Sequence, residues 1–201
     1  MRLFLIRHPR PAVADGLCYG ATDLPLAGDP QTAAAALHRQ WRDRFVAASA
    51  GASAIASSSD SAAPLPAGLP LFASPLQRCA QFAHHLARQL NTQPVIHDAR
   101  LAELNFGAWE MRAWDDIGAA ALAAWAADPL HHAPPGGESV AALQQRVLSF
   151  LAELQAAATP AAMLITHAGV MKVLHGHAHQ LPPASWMRTR FAYGELVVID
   201  C

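Results

Sequence analysis

Two histidines, two arginines and one glutamate stand in this chain where chemistry could be done. Leu5-Ile6-Arg7-His8-Pro9 and Ile165-Thr166-His167-Ala168-Gly169 are each an apolar run that stops at a histidine. Such runs are expected of parallel strands buried on both faces. Active sites of open α/β sheets lie beyond the carboxyl ends of their strands, so His8 and His167 are expected to meet. Between them, Ala73-Ser74-Pro75-Leu76-Gln77-Arg78 ends a third apolar run on an arginine, and Leu101-Ala102-Glu103 supplies a carboxylate. Two imidazoles, Arg7 with Arg78, and one acid are the parts needed to take a phosphoryl group onto a histidine.

The elements that must position these residues follow from hydrophobic patterning. Arg2 to Ile6 reads as a first strand and Pro30 to about Ala48 as a helix. Leu69 to Ala73 reads as a second strand, followed by a helix from Pro75 to about Leu90 with proline at or near its first position. Pro94 to His97 is a short third strand, and the Ala-rich stretch from Trp109 to Trp125 reads as helical. Glu138 to Ala157 is also predicted helical, because Val140, Leu143, Val147, Leu151 and Leu154 recur at helical spacing after Gly136-Gly137. Ala162 to Thr166 is the next strand, a helix begins after Ala168, and Phe191 to Ile199 closes as one or two strands. Strands alternating with helices predict a mostly parallel sheet covered on both faces. Ala47 to Gly68 breaks the pattern with Ala, Ser, Gly and Pro and one charge, Asp60. Too little apolar surface is present there to offset the entropy of ordering, so 47–68 reads as a flexible insertion within one domain spanning 1–201.

Composition agrees with one compact enzyme. A chain of 201 residues can bury a sizeable core. A formal net charge of −1 gives no general attraction to nucleic acid or to an anionic membrane. Cys18, Cys79 and Cys201 are odd in number, scattered and without C-x-x-C spacing, so neither a disulfide framework nor a zinc knuckle is suggested. No apolar h-region opens the chain and no stretch approaches membrane-spanning length, so it reads as cytoplasmic. His175, His177 and His179 alternate on a predicted helix, where positions two apart do not share a face. With no carboxylate in the run, they read as solvent-facing rather than as a metal site. Trp41, Trp109, Trp114, Trp125 and Trp186 read mostly as core or rim.

Taken together, four segments resemble the histidine phosphatase superfamily, also called the phosphoglycerate mutase-like family. Its pattern is R-H-G, S-P-L-x-R-A, E-x-x-x-G and T-H-x-G-V in that order. The chain reads Arg7-His8-Pro9, Ser74-Pro75-Leu76-Gln77-Arg78-Cys79, Glu103-Leu104-Asn105-Phe106-Gly107 and Thr166-His167-Ala168-Gly169-Val170. The resemblance implies a three-layer α/β/α sandwich and a phosphatase that works through a phosphohistidine on His8, with no cofactor and no metal. It implies a phosphate clamp from Arg7 and Arg78, a general acid in Glu103, and in His167 a donor to the phosphoryl oxygens. Pro9 stands where the family has Gly and should hold His8 extended at the strand end. Glu110 is the rival acid and is expected to be structural.

The segment Gly16-Leu17-Cys18-Tyr19-Gly20-Ala21-Thr22-Asp23-Leu24-Pro25-Leu26 is similar to a stretch of the α-ribazole phosphatases, and so is Phe106-Gly107-Ala108-Trp109-Glu110-Met111. That likeness implies α-ribazole 5′-phosphate, an intermediate of cobalamin biosynthesis, as the substrate. The family's Thr and Asn after R-H-G are replaced by Pro11 and Ala14, leaving Tyr19, the Gly20 backbone and Thr22 as candidate phosphate donors beside Ala168. A mutase would want basic residues soon after the Glu motif, and mainly Arg112 is there. Arg7-His8-Pro9-Arg10-Pro11 also superficially resembles the acid phosphatase and phytase branch, which normally carries a late H-D where this chain has His167-Ala168. A phosphomonoester is the expected partner, with no nucleic acid and no membrane, and a homodimer is left open. Phosphoglycerate mutase-type transfer, or a non-catalytic phospho-ligand binder on the same fold, are the alternatives.

Overall fold

The computed structural model describes residues 1–50, 68–92, 94–186 and 188–201. Strand β1 (Arg2–Arg7) leads to helix α1 (Pro30–Ala50), then to β2 (Leu71–Ala73), α2 (Gln77–Gln89) and β3 (Val95–His97). Short helices α3 (Trp114–Ile117) and α4 (Ala119–Ala127) precede α5 (Val140–Ala156) and β4 (Ala161–Thr166). Helices α6 (Ala168–Ala178) and α7 (Pro183–Trp186) then lead to β5 (Leu196–Asp200). The strands form one sheet in the order β3-β2-β4-β1-β5, parallel except for β5, which runs antiparallel to β1.

Successive side chains of a strand point to opposite faces, and that alternation builds the layers. Leu3 and Leu5 of β1, with Ala162 and Leu164 of β4, share a core with Leu143, Val147 and Phe150 of α5 and Val170 and Leu174 of α6. Phe4 and Ile6, with Met163 and Ile165, face Ala34 and Leu37 of α1 and Phe82 and Leu86 of α2. The result is the helix–sheet–helix sandwich that the pattern predicts. A third, smaller cluster of Cys18, Trp109 and Ile117 joins the loop after β1 to the segment after β3.

Four expectations change. Trp109 to Trp125 is not one helix, because Gly118 at φ +96° separates α3 from α4, and a side chain there would be strained. Helix α2 starts at Gln77, not Pro75, and its first N–H donates to the carboxylate of distant Asp23 at 2.7 Å. The chain from Phe191 to Glu195 is a loop, not a strand, and Gly194 N–H donates to Arg7 O at 3.1 Å across the end of β1. Helix α1 runs to Ala50, so the first residues of the expected insertion are helical, and 51–67 lie outside the described residues. Its start matches the Pro30 boundary, with Asp29 accepting Thr32 N–H at 2.7 Å just before the proline.

Candidate active site

Parallel register pairs Arg7 of β1 with Thr166 of β4, so the next residues, His8 and His167, leave the sheet side by side. Their ring centroids are 5.0 Å apart, and they are 2% and 0% exposed. His8 Nδ1 donates to the Pro9 carbonyl at 2.6 Å. A carbonyl only accepts, so the ring proton sits on Nδ1 and the lone pair on Nε2. Burial drives the His8 pKa down to about 3, helped by the positive charges of Arg78 and Arg7 and opposed by the Pro9 hydrogen bond. Burial, then His8 and Arg78, hold His167 well below its ordinary value as well. Both rings are neutral at neutral pH. His167 Nε2 lies 2.8 Å from Ser74 Oγ and 3.4 Å from Cys79 Sγ, which fix its ring at the end of β2 and the start of α2.

The arginines flank this pair. Arg7 Nη1 donates to Phe191 O at 2.6 Å, and its guanidinium carbon sits 3.9 Å from the centre of the Tyr193 ring. Arg78 is fully buried and donates through Nη1 to Thr22 O at 2.7 Å and through Nη2 to Gly20 O. Among the described residues, only four buried side-chain nitrogens or oxygens lack a partner, and two of them are Arg7 Nε and Arg78 Nε. A buried N–H without an acceptor costs about 1–3 kcal/mol, and an anion such as phosphate relieves that cost.

The loop of residues 19–22 is held differently from what its sequence suggested. Glu110 accepts N–H groups of Gly20 and Ala21 at 2.9 Å, of Thr22 at 3.2 Å and of Phe106 at 2.9 Å, and also the Thr22 hydroxyl. Burial raises the Glu110 pKa, but these donors outweigh it and hold the carboxyl below its ordinary range. The Gly20 and Thr22 donors expected to reach phosphate are therefore spent on Glu110, while their carbonyls position Arg78. Tyr19 Oη meets Tyr193 Oη at 2.6 Å, so two loops close on each other beside His8. Ala14 is exposed and Pro11 buried, and neither offers a donor in place of the family's Asn. The first N–H of α2, at Gln77, is taken by the Asp23 carboxylate.

Glu103 lies beyond β3 and accepts Leu104 N–H at 3.0 Å and Gly169 N–H at 3.1 Å. Gly169 permits this approach, since a Cβ there would stand 2.2 Å from Glu103 Oε1. The backbone of Glu103 is pinned from α5. Arg146 donates to Glu103 O at 3.0 Å and to Arg100 O and Ala102 O at 2.7 Å, and is itself paired with Glu138 at 2.7 Å. Neither Arg146 nor Glu138 stood out in the sequence. The available signal was a lone arginine next to Leu143 and Val147 in an otherwise apolar stripe. Ala168 opens α6 directly after His167, and a cavity of about 130 Å³ lies beside Glu103 and Ala168, also lined by Phe106, Trp125, Lys172 and Trp186.

Other sequence features fall outside this constellation. His175 and His179 stack at 4.3 Å near the far end of α6, His177 is exposed, and no group of three or more His, Cys, Asp or Glu among the described residues could hold a metal ion. No described helix is long and apolar enough to cross a membrane. Trp109 and Trp186 are buried, and Trp41 packs edge-on against Phe4.

Residues 3–201 match the family model of the histidine phosphatase superfamily, branch 1. An adenosylcobalamin/α-ribazole phosphatase of Salmonella typhimurium is 34% identical over 125 residues, covering 59% of this chain and 62% of that protein, so the matched part falls short of two thirds of the relative's length. The crystal structure of the α-ribazole phosphatase of Shigella flexneri superposes with a TM-score of 0.78 at 28% identity, over 100% of this chain and 90% of that one. A mycobacterial glucosyl-3-phosphoglycerate phosphatase superposes at 0.76 with 23% identity, over 98% of this chain and 88% of that one, a likeness of fold alone.

Proposed function

Because the chain belongs to the histidine phosphatase superfamily, branch 1, we propose that it hydrolyses a small phosphomonoester through a phosphohistidine on His8. One observation carries this reading: the Pro9 carbonyl accepts a hydrogen bond from Nδ1 of a buried, neutral His8, which leaves the lone pair on Nε2, in the field of Arg78 and Arg7. Nε2 attacks phosphorus while the bond to the alcohol oxygen breaks, and the Glu103 carboxyl passes its proton to that oxygen. Arg7, Arg78 and His167 offset the charge on the phosphoryl oxygens. Glu103, now a carboxylate, takes a proton from a water that attacks the phosphohistidine, and the P–N electron pair returns to Nε2.

Hydrolysis is favoured over mutase transfer because Arg112 is the main basic residue soon after the Glu motif, and its exposed side chain is turned to Asp116 O through Nη2. The Salmonella and Shigella relatives are described as α-ribazole phosphatases, so α-ribazole 5′-phosphate is the first substrate to test. His8→Ala should abolish turnover in a folded protein, and rapid quenching should trap an acid-labile, base-stable phosphoenzyme in the parent alone. Full activity in a folded His8→Ala variant would overturn the mechanism.

A further inference from the structure

We propose that the cavity beside Glu103 is a subsite for an uncharged aromatic ring carried by the alcohol half of the substrate. The inference rests on Glu103 as the acid, since the group bonded to the leaving oxygen must then lie against Glu103, Ala168 and Gly169, which all line this cavity. Its remaining wall is apolar and rich in rings, from Phe106, Trp125 and Trp186, with Leu143 and Val173 behind. Lys172 is the one basic residue in the lining and no arginine joins it there, so the cavity has no forked cation to clamp a carboxylate or a second phosphate. A volume of about 130 Å³ is close to the roughly 150 Å³ apolar cavity that accepts a benzene ring in other proteins.

Helix α4 supplies the independent observation. All nine of its residues are Ala, Leu or Trp, yet none is buried. Its Trp125 ring meets Phe106 at 6.1 Å and Trp109 at 6.2 Å edge to face, and its indole N–H has no acceptor. An apolar helix so thinly packed gains most from a ring seated against Trp125, which would extend the aromatic cluster into the cavity. A phosphate ester without a ring leaves that wall bare.

The test compares 2-phenylethyl phosphate with ethyl phosphate, two esters of similar alkoxides that differ by one ring. The parent enzyme should favour the phenyl ester by about 10- to 100-fold in kcat/KM, carried mainly by KM, as expected for burying a phenyl-sized group. Trp125→Leu and, separately, Val173→Trp, which fills the cavity, should each collapse that ratio toward one. Hydrolysis of both esters at equal efficiency by the parent, or a ratio untouched in both folded variants, would overturn the subsite and leave the phosphatase reading standing. A second readout needs no turnover. 2-Phenylethylphosphonate, but not ethylphosphonate, should slow amide hydrogen exchange over 119–127, and identical exchange with the two would refute the proposal even if neither ester is cleaved.

Discussion

Acid should loosen this protein well above the range in which carboxylates titrate, and His8 is the reason. An unfolded histidine takes up a proton below about pH 6.5, whereas folded His8, 2% exposed, resists protonation down to about 3. The folded pKa is therefore depressed, the unfolded state binds more protons in between, and stability falls as pH drops from about 6.5 toward 3. One such group changes stability by about 1.4 kcal/mol per pH unit inside the window. At pH 5 the loss from His8 is roughly 2 kcal/mol, a large share of a typical 5–15 kcal/mol total. His167 adds to it in the same direction. Urea unfolding at pH 7 and pH 5 measures the difference, provided the m-values agree. His8→Gln has no imidazole to titrate and should lose about 2 kcal/mol less than the parent between the two values. Parallel losses in parent and variant would show that His8 is not held neutral by its surroundings, and the argument for an available Nε2 lone pair would go with it.

Three further outcomes are expected. Glu103→Gln should slow phosphorylation by esters of basic alkoxides by about 10²–10⁴-fold while sparing p-nitrophenyl phosphate, and equal single-turnover losses on both would count against Glu103 as the acid. Glu110→Gln cannot satisfy the same set of donors, so it should lower stability by about 2 kcal/mol or more and reduce kcat/KM as Arg78 loses its support; unchanged unfolding and kinetics would refute the anchoring role. Chelator treatment should leave the rate unchanged, because two arginines and His167 supply the stabilising groups that metals provide in other phosphoryl-transfer sites; activity lost to chelation and restored by magnesium or zinc would contradict this.

The parts of the site carried by strand ends were legible because one local pattern, an apolar run stopping at a polar residue, fixes both the element and where its last side chain emerges. His8, His167 and Ser74 follow from β1, β4 and β2 in that way. What held them was not legible, since each support joins residues far apart in the chain. Glu110 binds a loop some ninety residues earlier, Arg146 grips the Glu103 backbone from another helix, and Tyr19 meets Tyr193 across most of the sequence. Helical composition also misled: Ala-rich residues 109–125 carry strong helix propensity, but Gly118 and the positive φ of Met111 set turns that propensity does not encode. Thr22 looked like a phosphate donor because its side chain suits one, and nothing local shows that Glu110 claims it first.

The position of β1 also sets a schedule for making this molecule. Arg2 is in register with Ala161 on one side and Asp200 on the other, so β1 lies between two strands that are synthesised last. At about 5–20 residues per second, a growing chain carries β1 for on the order of ten seconds before either neighbour exists. Throughout that interval the apolar run Leu3-Phe4-Leu5-Ile6 has both edges open, a template for pairing with other nascent chains. A chain interrupted before residue 161 can complete neither the sheet nor the histidine pair, whatever helices it has already formed. Yield in the cell should therefore respond more to chaperone supply and to translation speed between β1 and β4 than to substitutions on the finished surface.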